Sequence, residues 1–321
     1  MTEASRAAAN LRSVEGCRDT VITRLVAIAL ATASVLLPSL VAAYDASDAT
    51  SVVRFVDPDP ADSSARLATP RSPLRIGFHQ DPSEVQGRVT AVVGWPLEDV
   101  VASLSSAEDW CDVLLLHLNV KYCRAVGGAD AGLRVALGRK TFQSLEDVHW
   151  LAFDLRVHRA GANGFDVELA ADRGPFDTHA YRIRLRATPQ GSDRSELQFE
   201  YSFRYGLPGK LAMNAFLATS GQGKVGFTTV PRAPGELQYV TGLRGAVERN
   251  VMRYFLAITA HLQARDLPLA SRAERRFGLW FDATEQYARQ LREMDRTDYL
   301  AMKRGELSRQ LLGDPITVAR Q

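Results

Sequence analysis

Five segments between residues 133 and 205 alternate apolar with polar side chains, and that alternation constrains the chain more than any other feature. They cover 133–137, 151–157, 165–169, 181–186 and 197–205, with short Gly-, Pro- or Asn-bearing linkers such as 161–164 and 174–177. A period of two places the apolar residues of a strand on one face and the polar ones on the other. Linkers this short join neighbours in antiparallel fashion. The segments therefore predict a meander with one wet face and one apolar face.

An apolar sheet face needs a partner, and 242–262 supplies one. Leu243, Val247, Val251, Tyr254, Phe255, Ile258 and Leu262 recur at spacings of three and four, so one helical face carries them, while Arg244, Glu248, Arg249 and Arg253 lie largely off it. A helix of about 20 residues is roughly 30 Å long, enough to cross a small domain. Ahead of the meander, 84–94 reads as a first strand, broken by Gly94-Trp95-Pro96. Pro96 suits the start of a helix carrying Leu97, Val100, Val101 and Leu104, and a second helical piece follows over 107–118. Residues 210–219 read as a short helical insert, 224–230 and 237–240 as strands, and 231–235 as a turn.

The order is strand, two short helices, a long antiparallel meander and a closing helix, an α+β arrangement. It resembles the START and polyketide-cyclase-like superfamily, the helix-grip fold, over roughly 84–262. The resemblance lies in element order and brings no residue motif with it. It implies a cavity between curved sheet and closing helix that holds a lipid, sterol, polyketide or other apolar small molecule, and in a minority of members a cyclase or hydroxylase component.

The residues of the closing helix expected to meet a ligand are Val247, Arg249, Asn250, Val251, Arg253, Tyr254, Phe255 and Ile258. Arg249 and Arg253 are one turn apart and repel by a few tenths of a kcal/mol if unpaired. Two arrangements answer them. Glu248 or carboxylates at the sheet edge form salt bridges, or Arg249, Asn250 and Arg253 hold the carboxylate or phosphate head of a ligand whose tail follows Val247, Val251, Phe255 and Ile258.

Little else in the chain signals chemistry. Gly221-Gln-Gly-Lys-Val-Gly226 matches G-x-G-x-x-G, but a strand-like run and Pro231 follow it where a helix N-terminus is needed, so it reads as a turn and implies no nucleotide cofactor. The histidines are scattered without metal-ligand spacing, and no G-x-S-x-G occurs, so neither a metal nor a catalytic residue is assigned. His117, Asn119 and Lys121 share a face if extended, and the trio reads as part of the surface. With 39 Lys and Arg against 37 Asp and Glu in 321 residues, the chain has no electrostatic footprint for nucleic acid.

The ends of the chain suggest export and docking. Arg18 and Arg24 precede an apolar run over 25–37, then Pro38 and small residues up to Ala43: the layout of a secretory leader cleaved after Ala43, with an uncleaved membrane anchor as the alternative. Residues 44–83, rich in Asp, Ser, Ala and Pro, read as a flexible arm before a domain at 84–265 and a helical extension at 266–321. Cys111 and Cys123 are a candidate disulfide in an oxidising compartment, provided the chain reverses near Asn119 to bring their Cα atoms within about 7 Å; two separately buried thiols are the alternative. In the extension, Phe277, Trp280, Phe281, Thr284, Tyr287, Leu291 and Met294 form a stripe. It either packs on its own domain or docks a membrane surface or partner protein. The leading expectation is an exported soluble carrier of an apolar small molecule. An enzyme of the same fold and a non-enzymatic adaptor are the alternatives.

Overall fold

The computed structural model describes residues 49–53, 74–127, 131–159, 163–219 and 223–312, so the leader expected over 1–43 lies outside the described residues. The strands are β1 Ala49–Val53, β2 Leu74–Gln80, β3 Glu84–Val93, β4 Val120–Val126, β5 Gly132–Leu137, β6 His149–Arg159, β7 Phe165–Arg173, β8 Thr178–Pro189 and β9 Ser195–Tyr205. All nine pair in one sheet, ordered β1-β2-β3-β9-β8-β7-β6-β5-β4. The meander expected from the alternation is β5 to β9.

Cross-strand pairs show how alternation becomes a core. Ile76, Val89, Phe199, Leu185, Val167 and Val157 stand opposite one another in a row across six strands. Directly paired residues share a sheet face, and all but half-buried Val157 are almost fully covered. Flanking polar positions such as Arg182, Arg184 and Arg186 on β8 stay on the wet face and pair with Glu168 and Asp166 of β7.

Helices α1 Leu97–Leu104 and α2 Ala107–Leu115 link β3 to β4. A capping box starts α2, with Asp109 N–H donating to Ser106 Oγ at 3.0 Å and Ser106 N–H to the Asp109 carboxylate at 3.3 Å. The chain then reverses over 116–119. That reversal brings Cys111 and Cys123 into a disulfide with Cα atoms 5.2 Å apart, fastening α2 to β4.

After β9 come α3 Leu207–Ala218 and a hairpin of β10 Thr229–Ala233 and β11 Glu236–Tyr239. Gly235, at φ +80°, makes the hairpin turn. The closing helix α4 spans Gly242–Ala264, followed by α5 Leu269–Glu285, α6 Ala288–Leu291 and α7 Arg296–Leu311. Gly87 of β3 allows α4 to sit close to the sheet: a Cβ there would lie 2.6 Å from Val251 Cγ1 and 2.7 Å from Val247 Cγ1.

Several expectations need correction. The arm assigned to 44–83 contains β1 and β2, and Leu74 and Ile76 of β2 are fully buried. The Asp- and Pro-rich composition before residue 74 obscured the short alternation Leu74-Arg-Ile. The C-terminal helices pack on the domain, α5 lying along α4 and α7 against β4. The stripe of Phe277, Trp280, Phe281, Thr284, Tyr287, Leu291 and Met294 follows the first of its two readings and packs on its own domain, with every side chain buried except half-buried Met294. Trp280 donates its indole N–H to Arg253 O at 3.0 Å and stacks on Tyr299.

Two of the trio read as surface are also interior, while Asn119 is half-buried. His117 is buried, and Lys121 is fully enclosed. The Lys121 ammonium donates to Leu118 O at 2.7 Å and pairs with Glu306 of α7 at 2.9 Å. Lys303 donates to His117 O and Val120 O and pairs with the other oxygen of Glu306 at 2.8 Å. Lysines are tolerated inside only when paired and hydrogen-bonded, and the partner here comes from a helix about 180 residues later in sequence.

Candidate functional site

Covered by the sheet on one side and flanked by α1, α2, α5 and α6, α4 is buried around most of its circumference: residues 247–249 and 251–262 are all buried. Its polar side chains must therefore find partners inside. Glu248 does so completely. Its Oε2 accepts Phe227 N–H at 2.7 Å and Thr228 N–H at 2.9 Å, and its Oε1 accepts Thr228 Oγ–H at 2.7 Å and Arg244 Nε–H at 2.9 Å. This anchor draws the segment after the glycine motif onto α4. Gly226 has no room for a side chain there, since a Cβ would meet Glu248 Oε2 at 2.6 Å.

The next residue of α4, Arg249, donates to Val225 O at 3.1 Å. Arg253 donates to Leu291 O at 3.1 Å and pairs with Glu293 at 2.7 Å. The answering carboxylate thus comes from the segment between α6 and α7, neither from Glu248 nor from the sheet edge. Glu293 also pairs with Lys140 at 2.7 Å and Lys224 at 3.3 Å.

Between β9, α3 and α4, Arg249, Arg253 and Lys140 border a cleft of about 210 Å³. Tyr201, Phe203, Met213, Leu217, Leu243 and Val247 form its apolar wall. Asn119, Lys140, Arg249, Asn250 and Arg253 form its polar end. Tyr201 and Phe203 are two apart on β9 and so face the same way. The hairpin-bearing insert after β9 contributes Met213 and Leu217 on the opposite side.

The polar end is electrostatically strained toward positive charge. Burial, reinforced by the Arg253 charge and opposed by Glu293 and Glu248, pushes the Arg249 guanidinium down to about 10. Burial also lowers Arg253 and Lys140, with Glu293 opposing in both cases. Burial acts to raise Glu293, but Arg253, Lys140 and Lys224 outweigh it and hold the carboxylate below its usual range. His117 is driven well below the ordinary histidine range by burial and then by Arg253, Lys303 and Lys140, so it is a neutral imidazole. It meets Asn250 Oδ1 at 3.0 Å and stacks on Tyr254.

Of the residues expected to meet a ligand, the structure brings Val247, Arg249, Asn250 and Arg253 to the cleft. It places Val251, Phe255 and Ile258 in the solid core at 0% exposure, and Tyr254 among Phe199, Tyr201 and His117. A tail along Val251, Phe255 and Ile258 therefore has no space. Sequence reasoning missed Tyr201, Phe203, Met213, Leu217, Lys140 and Glu293. The inward alternation of β9 signals the first two, whereas nothing local marks the others.

Two other depressions are larger, at about 400 and 660 Å³. The first is lined by charges that answer one another, among them Arg276 with Asp112 and Arg265 with Asp99 at 2.6 Å. The second is an open groove beside Pro96, Leu97 and Pro189. Neither joins an apolar wall to incompletely answered charges. Among the described residues, no group of three His, Cys, Asp or Glu side chains is placed to hold a metal ion, and no helix is long and apolar enough to cross a membrane.

No family profile and no curated protein matches the chain by sequence. Solved structures are similar in shape. The Zhui aromatase/cyclase of Streptomyces sp. R1128 aligns at 13% identity and TM-score 0.33 over 60% of this chain and 95% of its own. Norcoclaurine synthase of Thalictrum flavum aligns at 14% and 0.32, over 44% and 89%. Human StAR-related lipid transfer protein 5 aligns at 10% and 0.32, over 50% and 82%. Likenesses this distant carry no argument about what the present chain binds. The strand order and the central α4 themselves give an α+β architecture of the helix-grip kind, an antiparallel sheet closed by a long helix.

Proposed function

We propose that this protein binds and carries a small, largely apolar molecule in the cleft between β9, α3 and α4, and that it works in an exported compartment. The observation that carries the reading is the pairing of a continuous apolar wall with a compact polar end at the junction of sheet and closing helix, the arrangement that fixes and orients small ligands. At about 210 Å³ the cleft is smaller than the ~300–1,000 Å³ usual for drug-sized ligands, so its occupant is compact. The leader-like N-terminal sequence and the Cys111–Cys123 disulfide support the exported location.

Carriage is favoured over catalysis by the lining. Of its lining residues Lys140 and Tyr201 are the groups able to act as nucleophile or base; the Lys140 ammonium is paired with Glu293 at 2.7 Å, and burial pushes the Tyr201 phenol well above its ordinary range. Arginines hold and orient without taking up protons near neutral pH.

Native mass spectrometry of the protein purified from its natural host tests the reading. A small-molecule adduct is expected on the wild type and absent from Met213→Trp, in which the larger side chain fills the cleft. Wild-type protein free of adduct, or an adduct indifferent to Met213→Trp, counts against carriage. Fractionation of the same cells tests export, and recovery in the cytoplasm with residues 1–43 intact would refute it.

A further inference from the structure

The polar end of the cleft carries more positive charge than the protein answers. Three cations, Lys140, Lys224 and Arg253, converge on the single carboxylate of Glu293, and the fourth, Arg249, feels the charges of Arg253 and Glu293 without pairing to either. The other nearby acid, Glu248, is consumed by Arg244 and by three donors of Phe227 and Thr228. Among the described residues no carboxylate pairs with Arg249, whose guanidinium donates to the carbonyl of Val225. Lys140 and Lys224 keep a third of their side chains in water, whereas Arg249 and Arg253 are each only 5% exposed. Solvent can satisfy the lysines, but the arginines have little access to it.

Arg253 supplies a second, independent sign. Its Nε–H is buried without a hydrogen-bond partner, although its Nη2 is fully used by Leu291 O and Glu293. An unmet donor on a buried cation destabilises the fold unless something else accepts it. The amide of Asn250 points the same way. Its Oδ1 is engaged by the His117 imidazole, which leaves the Nδ2 donors for the cleft. The polar end therefore presents donors on every side, with no acceptor of its own among the described lining residues other than Asn and Tyr side-chain oxygens.

We infer that the ligand of this cleft is an anionic amphiphile, whose carboxylate or phosphate head sits among Arg249, Arg253, Lys140 and Asn250 and whose short apolar part lies on Tyr201, Phe203, Met213 and Val247. The inference rests on the proposal that the cleft binds an apolar small molecule, and names the chemical class of that molecule. Arginine suits such a head because its planar fork donates two parallel hydrogen bonds to an oxyanion. Binding would restore charge balance where the fold alone leaves an excess. The neutral His117 behind Asn250 adds no competing charge.

Isothermal titration of the folded protein with matched six-carbon ligands tests this. Hexanoate and hexyl phosphate should bind at least ten-fold more tightly than hexanol, about 1.4 kcal/mol, and inorganic phosphate should bind more weakly than hexyl phosphate. Arg249→Met keeps the aliphatic bulk and removes the charge. It should cost the two anionic ligands ten-fold or more and leave hexanol unchanged, while Arg249→Lys retains part of the preference. Thermal melts of both variants establish that they fold; Arg253 is avoided because it also holds Glu293 and Leu291. Equal affinity for hexanoate and hexanol overturns the anionic head and leaves the apolar cleft standing. Phosphate binding as tightly as hexyl phosphate overturns the amphiphile. No binding by any of the four ligands counts against the cleft itself and removes both proposals together.

Discussion

Replacing Gly87 by Ala tests whether α4 rests on the sheet where the packing places it. The added Cβ would stand 2.6 Å from Val251 Cγ1 and 2.7 Å from Val247 Cγ1, against an optimal carbon separation of about 3.5–4.0 Å. Both contacts belong to β-branched side chains with little rotamer freedom on a helix, so helix and strand must part by roughly 1 Å. Overpacking of this kind costs about 1–3 kcal/mol. The stiffer unfolded chain returns about 0.4–1 kcal/mol, for an expected net loss of roughly 1–2 kcal/mol. Urea denaturation reads it as a lower midpoint at unchanged slope. Val251→Ala removes one of the two opposing methyl sets, so the double variant should lose less than the sum of the singles by about 1 kcal/mol or more. A neutral Gly87→Ala, or strictly additive losses, would refute the close seating of α4.

Other outcomes follow from buried charge and covalent linkage. His117 is held neutral when folded and has an ordinary pKa near 6.5 when unfolded. The unfolded state therefore takes up the extra proton as pH falls below about 6.5, and stability should drop by up to about 1.4 kcal/mol per pH unit down to the depressed folded value; His117→Gln should flatten that limb in chemical denaturation. Lys303 works at the other end: its folded pKa, lowered by burial to about 8, lies below the unfolded value. Its contribution should make the protein more stable as pH rises from about 8 toward 10, before the unfolded tyrosines begin to ionise. A falling stability over that interval contradicts the buried ammonium. Glu293→Gln strips the cation cluster of its carboxylate, which should cost about 3 kcal/mol in stability and tighten hexanoate binding by titration. Reduction of the disulfide, which closes a loop of 12 residues, should lower stability by about 3 kcal/mol in denaturation with and without reductant.

How much of this was legible in sequence differs from element to element. Alternation over 133–205 and the three- and four-residue spacing of 242–262 state which faces meet, and β5 to β9 and α4 follow them. The same spacing cannot tell where along α4 the contact is solid and where it opens. Val251 is pressed onto Gly87 and Phe255 lies in the core, while Val247, one turn before Val251, also borders the cleft. That difference depends on a glycine 160 residues away and on the insertion of α3 after β9. The repulsion between Arg249 and Arg253 was readable, but its answer was not, because Glu293 arrives through the fold of the C-terminal helices. The burial of Lys121 escaped notice for the same reason: its partner Glu306 is distant in sequence. Cys111 and Cys123 were readable as a pair because only a reversal between them was required, and the 116–119 turn provides it.

The central claim is that a ligand sits against the apolar wall between β9, α3 and α4, and methyl NMR during a hexanoate titration tests it most directly. The account predicts saturable shifts at Met213, Leu217, Leu243 and Val247, with Ile258 and Leu262 of the solid core unmoved. Shifts confined to Leu97 and Val101 beside the open groove, or no shift at all, would contradict it.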